Sequence, residues 1–593
     1  MSLKDILSPF YVWKRAFEKP YTTPNPLQDR PGAERYRGFH QNDLEKCIGC
    51  GSCEAICQNA AIDMVPVEGI ETTKKDSGLR PQIDYGRCCW CALCVDICTT
   101  DSLKMSNDYT WVDTDADVFR FVPGAETKKW DKIEEGYQRS DEYKLLLPDQ
   151  IKMPMMTADE SIQSFLEVVK GYSKNEAIRE AERCVECGLC VASCPAHMDI
   201  PEYIKAIRED NLEEALQLLY KTNPMPSTCG RICTHLCEGA CSIGVKGEAL
   251  AIRWLKRYIV DQIEPSKFKE ILKDEFKPNN KKIAIIGAGP AGLSAAYYLI
   301  TTGYDVTVFE ANEKAGGMIR YGVPEYRMPY DKLDEEIAYI ENLGVKIKYN
   351  YRIGEKIKFQ DLQNDFEAIF ISPGMWNSIP VNIVGEELPQ VLSGIQLLNK
   401  VTNKEKIELG KKVGVIGGGN SAMDAARTAR RLGAEVDIYY RRRIEDMPAD
   451  DEEIDEAQEE GIKFYPQTTP LEIKKDGKGI ILIWGKNKMK YEEGKRPKPI
   501  LIKGESFEVK LDSLIIAIGQ NADFTFLPEK LRDKIETKWD KIVVDENGKT
   551  NIPKVFSGGD ASNYKADAIS AIADGHRAAM GIDKFLNSGK NVN

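Results

Sequence analysis

Seventeen cysteines, all lying between Cys47 and Cys241, are the residues of this 593-residue chain best suited to chemistry. Two runs, Cys47, Cys50, Cys53, Cys57 and Cys88, Cys91, Cys94, Cys98, each follow the spacing C-x2-C-x2-C-x3-C. Three closely spaced thiolates can cap three irons of one cubane, while the fourth sits a step too far and reaches the neighbouring one. The spacing therefore predicts one [4Fe–4S] cluster on Cys47, Cys50, Cys53 and Cys98, and a second on Cys88, Cys91, Cys94 and Cys57. Zinc is the alternative, but zinc modules take their ligands in pairs and gain nothing from a triple run. A third run, Cys184, Cys187, Cys190, Cys194, repeats the spacing and is followed by Pro195. A fourth set, Cys229, Cys233, Cys237, Cys241, recurs every four residues, which would gather it on one face of a continuous helix. Leaving out Cys89, taken as a structural thiol, sixteen cysteines suffice for four cubanes.

A second chemistry follows the last cysteine. Ile283 to Ile286 reads as a strand, Gly287-Ala288-Gly289-Pro290-Ala291-Gly292 as a turn opening a helix, and Val306 to Phe309 as a strand ending at Glu310. Gly287 allows the tight turn, Gly289 lets a pyrophosphate approach the backbone, and Gly292 lets helix and strand pack. Glu310 can take ribose hydroxyls, which makes this a dinucleotide site. A second such unit runs from Val413 through Gly417-Gly418-Gly419-Asn420-Ser421-Ala422. Its second strand ends without an acid, in Tyr440-Arg441-Arg442-Arg443. A guanidinium can grip the 2′-phosphate that an acid would repel. FAD is expected at the first site and NADPH at the second, with NADH open and a solvated basic loop as the plain alternative for the arginines.

These residues need elements to hold them. Composition (42% hydrophobic, 29% charged) excludes a solvated polymer, and a net charge of −12 argues against nucleic acid or an anionic bilayer as partner. Cysteines this segregated, with no secretory signal, suit a cytoplasmic, anaerobic-type metalloprotein and not a secreted disulfide scaffold. No stretch reads as a transmembrane helix: the longest uncharged one, 283–302, is broken by Gly287, Gly289, Pro290 and Gly292. Residues 1–40 form an aromatic arm whose segment 9–17 is amphipathic, 41–110 a two-cluster domain and 111–160 a linker. Residues 161–275 form a helical two-cluster domain, 276–400 and 536–593 an FAD domain in two parts, and 401–535 an NADPH domain inserted between them. The fold class is multidomain, α+β and α/β: a ferredoxin-like domain, an α-helical [4Fe–4S] domain and two Rossmann-like nucleotide domains.

With Tyr36-Arg37-Gly38 leading in, the first two runs resemble the two-cluster ferredoxin-like subunit of respiratory complex I and related hydrogenases, although Gln58 and Thr99 replace the usual prolines. From about residue 175 onward the chain resembles the flavoprotein small subunit of NADPH-dependent glutamate synthase. That module is shared with the N-terminal part of dihydropyrimidine dehydrogenase and with the large subunit of bifurcating transhydrogenases. The motifs are Gly316-Gly317-Met318, Tyr321 to Pro329, Asn420 to Asp424, Met447-Pro448-Ala449, Ala517 to Gln520 and Gly558-Gly559-Asp560. The resemblance implies that Glu310, Gly317, Met318, Arg327, Gly559, Asp560, Ala568 and Ile569 contact FAD. It likewise implies that Gly417, Gly419, Asn420, Ser421, Arg441, Arg442 and Gly519 contact NADPH. One departure concerns Lys256, which stands where the family often carries a non-cysteine cluster ligand and cannot serve while charged. Cys229 is the substitute, giving clusters on Cys184, Cys187, Cys190, Cys241 and on Cys194, Cys229, Cys233, Cys237.

The function expected is an NAD(P)H:acceptor oxidoreductase. A nicotinamide gives up two electrons as hydride and a cubane accepts one, so a flavin must stand between them. Hydride transfer needs no acid–base residue, and none is nominated. The acceptor or donor would be ferredoxin or a partner redox subunit in a hetero-oligomeric complex. The alternative is a wiring subunit of an electron-bifurcating or hydrogenase-like assembly. His40, His197, His235 and His576 are too scattered for a metal site; of these His235, near the fourth cysteine set, is the candidate for tuning a cluster.

Overall fold

The structure, a computed structural model, describes residues 13, 15–18, 32–138, 145–492 and 494–587. The amphipathic segment 9–17 lies largely outside them. The described chain forms two compact units: Met1–Pro148 with Val185–Leu189 and Ser242–Glu248, and Asp149–Cys184 with Cys190–Cys241 and Ala249–Asn593.

In the first unit β1 (His40–Asn42), α1 (Ser52–Ala55), β2 (Ile62–Pro66), β3 (Leu79–Asp84), α2 (Leu93–Asp96), β4 (Leu103–Met105) and β5 (Arg120–Phe121) follow in order. β1 pairs with β4, and β2, β3 and β5 form an antiparallel sheet. Ile62, Ile83, Val95, Leu103 and Met105 pack around Cys53, Cys57, Cys94 and Cys98, so one small core positions both runs. Of the expected linker, 111–160, the part up to residue 138 packs into this unit. Phe121 enters the sheet through β5, and Trp130 is buried, stacked on Phe39 at 4.2 Å. The charged composition of this stretch masks three aromatics, Trp111, Phe121 and Trp130, whose burial outweighs the polar residues between them.

The second unit opens with helices α3 (Lys174–Ala181), α4 (Ile200–Arg208), α5 (Leu212–Tyr220), α6 (Pro226–Ile232) and α7 (Ile252–Asp261). Its first nucleotide fold comprises β6 (Lys282–Ile286), α8 (Pro290–Thr301), β7 (Asp305–Phe309), α9 (Tyr330–Asn342), β8 (Lys346–Lys348) and β9 (Ala368–Ile371). The second comprises β10 (Val391–Ser393), α10 (Gly394–Thr402), β11 (Lys412–Ile416), α11 (Asn420–Arg431), β12 (Glu435–Tyr439), α12 (Asp451–Glu459) and β13 (Lys463–Tyr465). An antiparallel sheet, β14 (Thr468–Asp476), β15 (Gly479–Glu492) and β16 (Lys495–Leu511), precedes β17 (Ser513–Ile516). β18 (Val555–Ser557) and α13 (Ala568–Asn587) complete the described chain.

Two parallel sheets result, in the orders β18-β9-β6-β7-β8 and β10-β17-β11-β12-β13. Beyond their first residues the central strands are buried and apolar; the second sheet is covered on one face by helices and on the other by the antiparallel sheet, through Ile473, Leu482 and Trp484. β18 pairs with β9 from across the inserted second fold, as a flavin domain in two parts requires. The boundaries shift: β10 joins the second sheet ahead of residue 401, while Leu527 and Ile535 pack into the first core although they precede 536.

Candidate functional site

The first glycine turn opens one wall of a cavity of about 870 Å³. Gly287 has φ +97, and a Cβ there would strike the Ser372 carbonyl oxygen. Gly289 ends the turn as the N-cap of α8, aiming the helix N-terminus into the cavity. Glu310 follows β7 and is 4% exposed. Its Oε2 accepts the Ala288 N–H at 2.8 Å and its Oε1 the Asn312 N–H at 2.8 Å. Burial raises this carboxyl above its ordinary range, and the N–H groups oppose that. Gly317, Met318, Gly559, Asp560 and Ala568 line the same cavity, and burial pushes Asp560 up to about 6. The volume, the glycine cradle and the acid at the strand end fit FAD, with ribose toward Glu310.

Gly292 packs α8 against the turn, as its expected packing role requires, since a Cβ there would strike the Gly287 carbonyl oxygen. Ile569 is buried off the cavity. Arg327 lines the cavity, but its guanidinium is engaged elsewhere. It donates to both oxygens of Asp424, at 2.8 and 2.9 Å, and reaches Glu453 at 2.6 Å. It therefore ties the two nucleotide folds together where it lines the cavity. Trp376, Met375 and Phe526 line the cavity without having been anticipated. Trp376 follows Pro373-Gly374 just beyond β9, and a strand beside β6 ending in a turn is the signal that pointed there.

Asn420, Ser421 and Gly519 of the second fold reach the same cavity, whereas Gly417, Gly419, Arg441 and Arg442 stand outside it. Gly419 is the N-cap of α11. Asn420 Nδ2 donates to Asp450 at 3.0 Å and its Oδ1 accepts the Asp450 N–H at 2.9 Å, fixing the helix start. Of the three arginines, Arg443 pairs with Asp446 and Glu445. Among the described residues neither Arg441 nor Arg442 meets a carboxylate. A further cation comes from the long hairpin: Arg496 donates to the Tyr440 hydroxyl at 3.0 Å, and Arg442 Nε donates to the Pro497 carbonyl at 2.7 Å. Burial and the neighbouring Arg442 and Arg496 lower the pKa of Arg441.

Ile232 and Thr234, on either side of Cys233, also line the cavity. Cys229 lies on α6, whose first turn is capped by Glu336 of α9, accepting from Thr228 Oγ1 at 2.6 Å and Thr228 N at 3.1 Å. The helix ends at Ile232 and Cys233 is extended (φ −66, ψ 139), so the four-residue repeat is not one helical face. The nonhelical path instead turns Cys233 and Cys237 toward Cys194; burial raises both their pKa values, with Cys194 adding to it and Lys256 opposing it. Lys256 of α7 is buried, and Cys233, Cys229, Cys237 and Cys194 all raise its pKa against the pull of burial. Its ammonium faces four thiol positions, as a counter-charge and not as a ligand.

The first unit gathers its thiols crosswise. Cys53, largely desolvated, has Cys50, Cys94, Cys47 and Cys98 as neighbours, whereas Cys94 has Cys88, Cys91 and Cys57. Sulfur acceptors are served locally: Ala61 N–H reaches Cys57 Sγ at 3.3 Å, Trp90 N–H reaches Cys88 at 3.4 Å, and Ser102 Oγ lies 3.5 Å from Cys98. In the same unit Ser242 Oγ donates to Cys187 Sγ at 3.3 Å, and Cys187 is a neighbour of Cys50. Cys89 is exposed, contrary to a structural role. All seventeen cysteines are thiols, and no three described ligand-type side chains converge on a single ion. A cubane, which spreads its thiolates wider than one ion does, fits these groupings. His235 holds Nδ1 3.9 Å from Glu238, with its other ring nitrogen buried and unpartnered among described atoms.

Three family models match in sequence order: a 4Fe–4S dicluster domain over 46–102, domain II of dihydropyrimidine dehydrogenase with its 4Fe–4S cluster over 161–268, and pyridine nucleotide-disulphide oxidoreductase over 281–575. The chain is 38% identical over 434 residues to the NADPH-Fe(3+) oxidoreductase subunit beta of Geobacter sulfurreducens, covering 68% of this chain and 64% of that one. It is 30% identical over 571 residues to the oxidoreductase UacF of Escherichia coli, covering 91% and 86%. It is also 30% identical over 452 residues to the NADPH glutamate synthase small chain of Escherichia coli, covering 71% and 94%. The chain thus spans a little under two thirds of the Geobacter relative and nearly all of the glutamate synthase small chain. A cavity built from two nucleotide folds and edged by a cysteine run, together with these matches, makes the chain a member of the flavin- and iron–sulfur-dependent NAD(P)H oxidoreductase family that includes the glutamate synthase small chains.

Proposed function

We propose that this chain passes electrons between NADPH, FAD and four [4Fe–4S] clusters, to or from ferredoxin or a partner redox subunit. The observation that carries the reading is the shared cavity: Glu310 of the first fold, Asn420 and Gly519 of the second, and Ile232 and Thr234 beside Cys233 all face it. When bound, the flavin would exchange paired electrons with the nicotinamide and single electrons with the clusters. The chain's own part is to hold and to exclude. Gly287, Gly289 and Glu310 would hold the flavin's pyrophosphate and ribose, and Trp376, Met375 and Phe526 would exclude water from the cavity they line. Arg441 and Arg442, joined by Arg496, would receive the 2′-phosphate that distinguishes NADPH from NADH. Cys194, Cys229, Cys233 and Cys237 would hold the cluster nearest the flavin, and Cys184, Cys187, Cys190 and Cys241 the next.

An anaerobic titration with NADPH and then NADH tests this, following flavin and cluster absorbance with iron counted per chain. Bleaching of both chromophores, at lower NADPH than NADH, with about sixteen irons per chain is expected. Unbleached chromophores, or far fewer irons, would overturn it. A second reading, a wiring subunit of a hetero-oligomeric complex, is favoured by the Geobacter relative being named a subunit and being longer than the stretch matched. A tightly co-purifying redox partner, without which turnover is absent, would separate it from the first. No described helix is long and apolar enough to cross a membrane.

A further inference from the structure

A buried histidine outside the flavin cavity is aimed at a cluster thiol. His40, in β1, is 1% exposed, and its Nε2 lies 3.3 Å from Cys94 Sγ. On its other side Nδ1 lies 3.0 Å from the Tyr85 hydroxyl, which also accepts the His40 backbone N–H at 2.9 Å. Proton placement follows from counting. A cysteine that ligates iron is a thiolate and can only accept, so the proton facing it belongs to Nε2. A neutral ring then has a bare Nδ1, which accepts the Tyr85 O–H, while the Tyr85 oxygen takes the backbone N–H. Every donor along Tyr85, His40 and Cys94 is matched, and the ring has a single tautomer.

The setting holds this ring in place. The Trp130 indole N–H donates to the His40 carbonyl at 3.1 Å, and Trp90 stacks near the ring at 6.3 Å. Trp130 comes from the stretch that folds over the cluster domain, so burial of His40 depends on it. A hydrogen bond given to a ligating sulfur stabilises the more negative, reduced cluster and raises its potential. Dry surroundings strengthen such a bond.

We propose that His40, oriented by Tyr85, donates a hydrogen bond to Cys94 and sets the N-terminal cluster it ligates at a higher potential than that cluster would otherwise have. His40 is then a positioning residue for electron flow, with no role in hydride transfer. The proposal rests on Cys94 being a cluster ligand, within the stretch 46–102 that matches the dicluster model.

The test is an EPR-monitored redox titration of the full holoprotein, with iron counted in each variant. In His40→Leu the midpoint of one cluster should fall by at least the equivalent of a tenfold change in its oxidised-to-reduced ratio, about 59 mV for one electron, while the others stay put. His40→Gln, which keeps an N–H donor, should restore most of the shift. Tyr85→Phe, which keeps the ring and loses only its orienting hydroxyl, should move the same cluster in the same direction by less. Unchanged midpoints in His40→Leu at full iron content would overturn the proposal. If His40→Leu loses iron, Tyr85→Phe decides, and an unmoved midpoint there overturns it. A wild-type protein without iron would instead sink the cluster reading itself.

Discussion

The two nucleotide folds share one plan and part at a single strand end. Both run strand, glycine turn, helix, strand, and both helices begin at a glycine N-cap, Gly289 in one and Gly419 in the other. After β7 comes Glu310, buried and fastened to the Ala288 and Asn312 N–H groups. After β12 come Tyr440, Arg441 and Arg442, with no acid among them and Arg496 brought in from the hairpin. On the proposed function, one scaffold would be directed to different ligands by the residues that cap its second strand. A ribose diol wants an acceptor, a 2′-phosphate wants guanidinium, and neither end could serve the other's ligand.

The connection between the folds should be the most sensitive point. Arg327→Ala leaves Asp424 buried without its partner, and breaking such a pair costs about 3–5 kcal/mol. Denaturant unfolding followed by flavin release should show that loss, whereas an Arg327 that merely touched flavin would lower affinity and leave stability alone. At the first strand end, Glu310→Ala strands two N–H groups at about 1–3 kcal/mol. Flavin should dissociate roughly 10–100-fold more readily on dilution, with NADPH discrimination intact. At the second, Arg441→Ala should raise KM for NADPH about tenfold, or ~1.4 kcal/mol, and leave KM for NADH unchanged.

Two further effects sharpen the contrast. Asp560 carries a folded-state pKa raised by burial to about 6, above its ordinary 3.8. A raised acid favours the folded state while protonated, so its contribution is fully present below about pH 3.8 and is lost as pH climbs through about 6. In flavin-free protein, Asp560→Asn should remove a pH-dependent decline of about 3 kcal/mol across that window. Arg496→Ala should raise KM for NADPH only about threefold, since Arg441 and Arg442 remain. An equal rise for NADH would place Arg496 outside the phosphate site.

Much of this was legible in the residues. The cysteine spacings and glycine turns are local signals, and they identified the clusters and both nucleotide folds because iron and pyrophosphate dictate ligand spacing over a few residues. What stayed hidden was long-range. Nothing adjacent to Arg327 announces Asp424, nearly a hundred residues on, so the ion pair that ties the two folds together went unseen. Trp111 and Trp130 sit among charges, and only the fold brings them over Phe39 and His40. The four-residue rhythm of Cys229 to Cys241 suggested a helix, but α6 ends at Ile232 and the chain turns aside. Arg496 is silent in sequence because its strand belongs to a separate hairpin.

The strand order β18-β9-β6-β7-β8 also bears on how the protein is made. β9 ends at Ile371, yet its outer neighbour β18 begins at Val555, and Gly559 and Asp560 follow it into the cavity. At a synthesis rate of roughly 5–20 residues per second, the ribosome needs some ten seconds or more between those strands. The second nucleotide fold, contiguous from β10 to β17, can assemble during that interval, but the flavin pocket cannot close. Flavin capture is therefore a late event in biogenesis, and a nascent chain stalled before Val555 should expose the apolar edge of β9 to chaperones.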